Sequence, residues 1–136
     1  MVGDRGMKKK GVSTSSHEDK LTESIIQSII DVHRTLGPGF LENVYRRALL
    51  VELTRRGLGV ETEKEVIIYY KGAEVGRHRL DLLVDNRVIV ELKTVEDLSV
   101  VHYAQVRSYL KATGLTVGLL VNFAKEKADF RRVESL

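Results

Sequence analysis

Asp81, Glu91 and Lys93 interrupt a segment, RLDLLVDNRVIVELKTV (residues 79–95), whose two apolar runs otherwise suit buried strands. Burying an unpaired charge costs several kcal/mol or forces the group to neutralise. The three charges therefore either pair within a wall of the core, as a half-buried Lys-Glu pair on a solvated sheet face would, or line a cleft where chemistry needs them. Two carboxylates about 4 Å apart repel by roughly 4 kcal/mol at an effective dielectric of about 20. Lys93 can neutralise one of them; a divalent cation neutralises both, and carboxylate oxygens with water suit Mg²⁺ or Mn²⁺. A cation beside an ammonium can supply a hydroxide-like nucleophile and positive charge for oxygens on which negative charge builds.

Strand side chains alternate, so Glu91 and Lys93 project from one face. Whether Asp81 joins them depends on one residue of hairpin register. A two-residue loop at Asp85-Asn86 sets Asp81 opposite Val90, facing away from Glu91; a three-residue loop (Asp85, Asn86, Arg87) or a bulge sets it opposite Glu91. The second register is expected, because the first strands Asp81 on an apolar face with no partner.

The elements that must position these residues are readable from apolar spacing. Leu21, Ile25, Ile29, Val32 and Leu36 form a helical stripe that ends at Gly37-Pro38-Gly39. A second helix is expected from about Leu41 to Arg56, with Gly57 as its stop. VETEKEVIIYY (residues 60–70) reads as a strand and KGAEVG as a turn. The charged segment gives two more strands. SVVHYAQVRSYLKATG then reads as a helix closed by Gly114, and LTVGLLVNF as a buried strand. The last dozen residues are too polar to assign, although FRRV could be a short edge strand. The expected order is α-α-β-β-β-α-β: an α/β fold with a mixed sheet flanked by helices, the last crossover making a parallel, right-handed connection. Residues 1–19, rich in Lys, Ser and Gly, are expected to be a disordered tail, and residues 20–136 one domain.

A pattern D…ExK across a hairpin, behind a helix and ahead of a helix-strand unit, resembles the PD-(D/E)XK nuclease superfamily, with its restriction-endonuclease-like core. GFLENVY (residues 39–45) after HRTLGP is similar to the motif of the GxxExxY family within that superfamily, and the likeness runs from about Leu21 to Phe123, including HYAQVRSYL and GLLVNF. The superfamily's proline before the aspartate is replaced by Leu80.

The resemblance implies roles. Asp81 and Glu91 would be metal ligands, with the Leu92 main-chain carbonyl as a third, and Lys93 would orient or help to deprotonate the attacking water. Glu42, in the first turn of its helix, could serve there simply as a carboxylate favoured by the macrodipole; the family motif implies a helix-borne ligand of the same metal. Gln105, on the helix after the ExK strand, stands where some superfamily members place a Gln touching the bound water or the backbone. Tyr45 shares the helical face of Glu42 and could bond a carboxylate or phosphate, or pack in the core. His102, one turn before Gln105, and Arg46 and Arg77 are the further substrate-contact candidates.

Composition bounds the partners. The 136 residues include no cysteine, which excludes disulfides and Cys-ligated zinc. No apolar run approaches the roughly 18 residues of a membrane span, and the N-terminus lacks a signal-peptide core, so no membrane partner and a cytoplasmic location are expected. The pI of 9.2 hints at nucleic acid. Most of the net charge of +3, however, lies in the first 20 residues, so a polyanion surface must be a local patch. Aromatics are 6% with no Trp, which gives no visible base-stacking platform. The expected function is a Mg²⁺- or Mn²⁺-dependent nuclease cutting DNA in preference to RNA. The alternative is a non-catalytic nucleic-acid-binding or structural protein with the same fold. A homodimer could supply the grip that so small a chain lacks.

Overall fold

The computed structural model describes residues 13–135, with side chains described from residue 19 onward. Its elements are α1 (Ser13–Leu36), α2 (Glu42–Arg55), β1 (Val60–Tyr70), β2 (Ala73–Val84), β3 (Val88–Lys93), α3 (Val100–Thr113), β4 (Val117–Asn122) and β5 (Asp129–Glu134). Helix α1 is described from Ser13, ahead of the expected domain start, and residues 1–12 of the expected tail lie outside the described residues. Strand β5 adds a final element to the expected order. Its polar sequence hides it because it is an edge strand: Arg131 and Arg132 face water and only Val133 is fully buried.

The five strands lie in sequence order in one sheet. Pairs β1–β2, β2–β3 and β4–β5 are antiparallel, and β3–β4 is parallel through the α3 crossover. Asp85 and Asn86 both take left-handed φ (51° and 54°), and the Arg87 N–H donates to Val84 O at 2.9 Å. Val84 nevertheless pairs with Val88, Leu83 with Ile89 and Leu82 with Val90, which leaves a three-residue loop, and continuing that register sets Asp81 opposite Glu91.

Two apolar clusters sandwich the sheet. Leu21, Ile25 and Ile29 of α1 and Leu49 and Leu53 of α2 pack on Leu82, Val84, Val90, Leu92 and Leu119. On the other face Val106, Tyr109 and Leu110 of α3 pack on Leu80, Leu83, Ile89 and Leu120. Leu80 and Leu83 thus share a face while Leu82 takes the opposite one, so strict alternation fails within β2. The failure is at Asp81. Across from it in β1, between the pairs Thr62↔Leu82 and Lys64↔Leu80, Glu63 adopts φ 52°. Both strands change sides together at this point, which re-aims side chains in the way a bulge does.

Helix α3 is fixed at both ends. The Ser99 N–H donates to His102 Nδ1 at 3.0 Å, and Gly114 closes the helix in the left-handed conformation (φ 77°). The helix lies directly on β4: a Cβ at Gly118 would stand 2.8 Å from Val106 Cγ1 and 3.4 Å from Ile89 O. Among the described residues no helix is long and apolar enough to cross a membrane.

Candidate active site

The site is built where β2 and β3 stop pairing through their main chains. Beyond Leu82↔Val90, side chains take over the ladder. The Asp81 N–H donates to Glu91 Oε1 at 3.1 Å, and the Leu92 N–H donates to Asp81 Oδ2 at 2.8 Å. Each carboxylate therefore satisfies a backbone donor that the parting strands would otherwise orphan. Glu91 is 3% exposed. Burial pushes its carboxyl up to about 8, the charge of Asp81 adds to the rise, and Lys93 opposes it. A proton kept on Glu91 relieves the repulsion between the two carboxyl groups.

Two helices bring further groups to this seam. Lys93, the last residue of β3, donates from Nζ to Gln105 Oε1 of α3 at 3.3 Å. From the opposite layer, Glu42 at the start of α2 feels Asp81, Lys93 and Arg46. Its carboxyl is raised first by burial and then by Asp81, with the two cations pulling the other way. One turn on, Arg46 Nη1 is 3.6 Å from Asp81 Oδ1. The structure thus brings Asp81, Glu91, Lys93, Gln105, Glu42 and Arg46 into one electrostatic neighbourhood.

This donor set suits a hard divalent cation. Two neighbouring carboxylates, one of them held protonated by burial and by its partner, are chemically short of positive charge. Among the described residues no group of three or more His, Cys, Asp or Glu forms a ready-made metal cage. Mg²⁺ characteristically binds through one or two carboxylates and keeps waters and substrate phosphates as its other ligands, so an open pair fits it better than a closed cage would. Leu92 touches the pair through its N–H, while its side chain is buried in the cluster under α1 and α2.

Three of the substrate-contact candidates have other partners. Tyr45 is wholly buried and stacks on Phe123 with ring centroids 4.4 Å apart. Its hydroxyl donates to Gly37 O at 2.5 Å and accepts from the Phe40 N–H at 3.1 Å, so it fastens the Gly37–Gly39 loop and has no face left for a substrate. Arg77 is committed to Glu74 and Glu65, at 2.6 Å and 3.1 Å. Four residues of extended chain also separate it from Asp81, about 13 Å at the usual rise. His102 uses Nδ1 to cap α3.

Other residues of the neighbourhood were not visible in the sequence. Glu63 carries the left-handed φ opposite Asp81 and binds two arginines, Arg46 Nη2 at 3.3 Å and Arg79 Nη1 at 3.6 Å. Asn122, buried beside Lys93 in the β3–β4 register, accepts from Val95 N–H at 3.1 Å and donates to Val95 O at 2.7 Å. It clamps the chain just after the ExK strand; a lone amide ending the apolar run GLLV was the available signal. His78 stacks on Tyr109 at 3.8 Å, and its Nδ1 is 3.0 Å from the tyrosine hydroxyl. Burial and then the charges of Glu91 and Asp81 raise the Tyr109 phenol, which places this pair behind the carboxylates.

Comparison with known proteins agrees with the geometry. No curated protein matches the chain. The crystal structure of SSO0001 superposes with a TM-score of 0.57 at 20% identity, over 89% of this chain and 60% of that one. The likeness is one of fold, and the present chain spans 60% of the length of that relative. A family model for the PD-(D/E)XK nuclease superfamily matches residues 19–133, from within α1 into β5 and across every residue of the seam. The chain belongs to the PD-(D/E)XK nuclease superfamily.

Proposed function

We propose that the protein is a divalent-metal-dependent nuclease that hydrolyses phosphodiester bonds, in DNA rather than RNA, and that GFLENVY places it in the GxxExxY group of its superfamily. The observation that supports this furthest is the Asp81–Glu91 pair, bonded across the parted strands with Lys93 beside it. Asp81 and Glu91 would hold Mg²⁺ or Mn²⁺, with the Leu92 carbonyl and Glu42 as further donors. When bound, the ion supplies a nucleophile active at neutral pH and positive charge for the phosphate oxygens. Lys93 orients the attacking water and stabilises the charge that builds on the phosphate. Gln105 keeps the ammonium in place through Oε1. A cytoplasmic location and a homodimer, which would widen the grip on a duplex, go with this reading.

The second reading, a non-catalytic nucleic-acid-binding or structural protein that keeps the fold, is favoured by one observation: Arg46 Nη1 stands 3.6 Å from Asp81 Oδ1, where a guanidinium can balance the carboxylate in place of an ion. One assay separates the two. The full chain is incubated with single-stranded, duplex and branched DNA and with RNA, in Mg²⁺, Mn²⁺ or EDTA, beside Lys93→Ala. Metal-dependent cleavage that falls by about 10²–10⁴-fold in the variant is expected. Binding without cleavage in either protein overturns the nuclease reading.

A further inference from the structure

Arg46 occupies a position that a phosphate-binding arginine does not need. Of the two Asp81 oxygens, Oδ2 is taken by the Leu92 N–H, and Oδ1 is the one that faces Arg46 Nη1 at 3.6 Å. The same guanidinium reaches Glu63 through Nη2 at 3.3 Å, is bonded to Asn43, and acts on Glu42 electrostatically. One cation is thus surrounded by three carboxylates, two of which belong to the proposed ion site. Its side chain is only 18% exposed, so water screens these contacts incompletely. Glu63, which anchors the far side of the fork, is held in a left-handed conformation (φ 52°) that a non-glycine residue keeps only when its surroundings enforce it.

The geometry points to Arg46 as a place-holder: its guanidinium neutralises Asp81 while no divalent ion is bound, and yields that oxygen to the ion by moving wholly onto Glu63. This inference rests on the metal-dependent reading above. Glu63 is then a positioning residue that gives the displaced fork somewhere to go, and Arg46, freed from Asp81, is available to a phosphate. The carboxylate pair is spared the repulsion it would suffer bare. The cost is a lower affinity for the ion, since the guanidinium must first be displaced.

The test is Mn²⁺ binding to the full chain without nucleic acid, by calorimetry, for the wild type, Arg46→Gln, Glu63→Gln and the double variant, with Arg47→Gln as a control on the same helix. Arg46→Gln should bind Mn²⁺ about fivefold more tightly and Glu63→Gln should bind it more weakly, each by the worth of a partly screened ion pair. Simple charge effects would give those same signs, so the cycle decides. If Glu63 acts through Arg46, Glu63→Gln has no further effect once Arg46 is gone; additive effects overturn the inference. Unchanged affinity in Arg46→Gln, or an equal gain in Arg47→Gln, also overturns it and leaves the nuclease reading standing. Absence of Mn²⁺ binding in every protein overturns both. A measurement on the unmodified chain guards against a variant that fails to fold: adding Mg²⁺ should shift the Nε–H resonance of Arg46 and leave that of Arg47 in place. A stationary Arg46 signal sinks the proposal.

Discussion

The Asp81 amide donates to the Glu91 carboxylate at 3.1 Å, at the point where β2 and β3 would otherwise continue their main-chain ladder. The bond fixes one acidic side chain by the backbone of the other. Neither carboxylate can move without breaking a hydrogen bond across the seam, so the spacing of the pair is set by the sheet itself and not by loops. A site carried on rigid strands is more exact than one carried on mobile segments.

The raised Glu91 carboxyl has a stability consequence in the metal-free protein. The folded chain keeps a proton up to about 8 that the unfolded chain releases near 4.5. The native state therefore binds more protons than the unfolded state within that window, and stability falls as pH rises through it. Glu91→Gln, which mimics the protonated form, should have a melting temperature close to wild type at pH 4.5 and several degrees above it at pH 8.5 in EDTA. Parallel melting temperatures at both pH values would contradict the assignment.

Cation binding should expel that proton. At pH 7, titration of Mn²⁺ into the full chain, in two buffers of different ionisation enthalpy, is expected to report release of about one proton per ion. The melting temperature should rise with ion concentration as well, by mass action on the folded state, about 2.7 kcal/mol at a hundredfold excess over Kd. Glu91→Gln should abolish the proton release.

Tyr45→Phe tests the loop-fastening role. The change removes a donor to Gly37 O and an acceptor for the Phe40 N–H but keeps the stack on Phe123. A loss of about 1–3 kcal/mol in urea unfolding is expected, with cleavage unchanged at temperatures where the variant is folded. A fall in kcat without loss of stability would return Tyr45 to the chemistry.

Asn122→Ala takes both of its bonds from Val95 and the acceptor from Ala124 N–H. Val95 is half-buried and Ala124 exposed, so a cost of about 1–3 kcal/mol is expected. The Phe123 N–H donates to Lys93 O at 2.9 Å, so slack in this clamp should reach the ammonium. Cleavage should fall more than substrate binding does, measured as kcat against KM.

Much of this arrangement was legible because a few residues overdetermine it. Apolar spacing located α2 and α3 to within a residue or two, since Leu49, Leu53, Val106 and Leu110 must all reach the sheet. The hairpin register followed from asking which pairing leaves Asp81 with a partner. What the sequence hid are features without a periodic signature. The switch of β2 between faces at Asp81 depends on the backbone conformation of Glu63, which no alternation pattern reveals. Tyr45 looked like a site residue by position along its helix, but its hydroxyl is spent on Gly37 and Phe40, while His102 commits Nδ1 to the cap at Ser99. Arg77 looked near the cleft by number, and distance along an extended strand removed it.

Gly118 brings α3 to rest on β4 with no room for even one methyl group between them. Gln105 is the neighbour of Val106, the residue in that contact, so the reach of its amide to the Lys93 ammonium depends on how closely the helix lies. An alanine at this point would lift the helix and stretch the contact between them, although it touches neither residue. On this side of the seam, the approach of helix to sheet is set by an absent carbon.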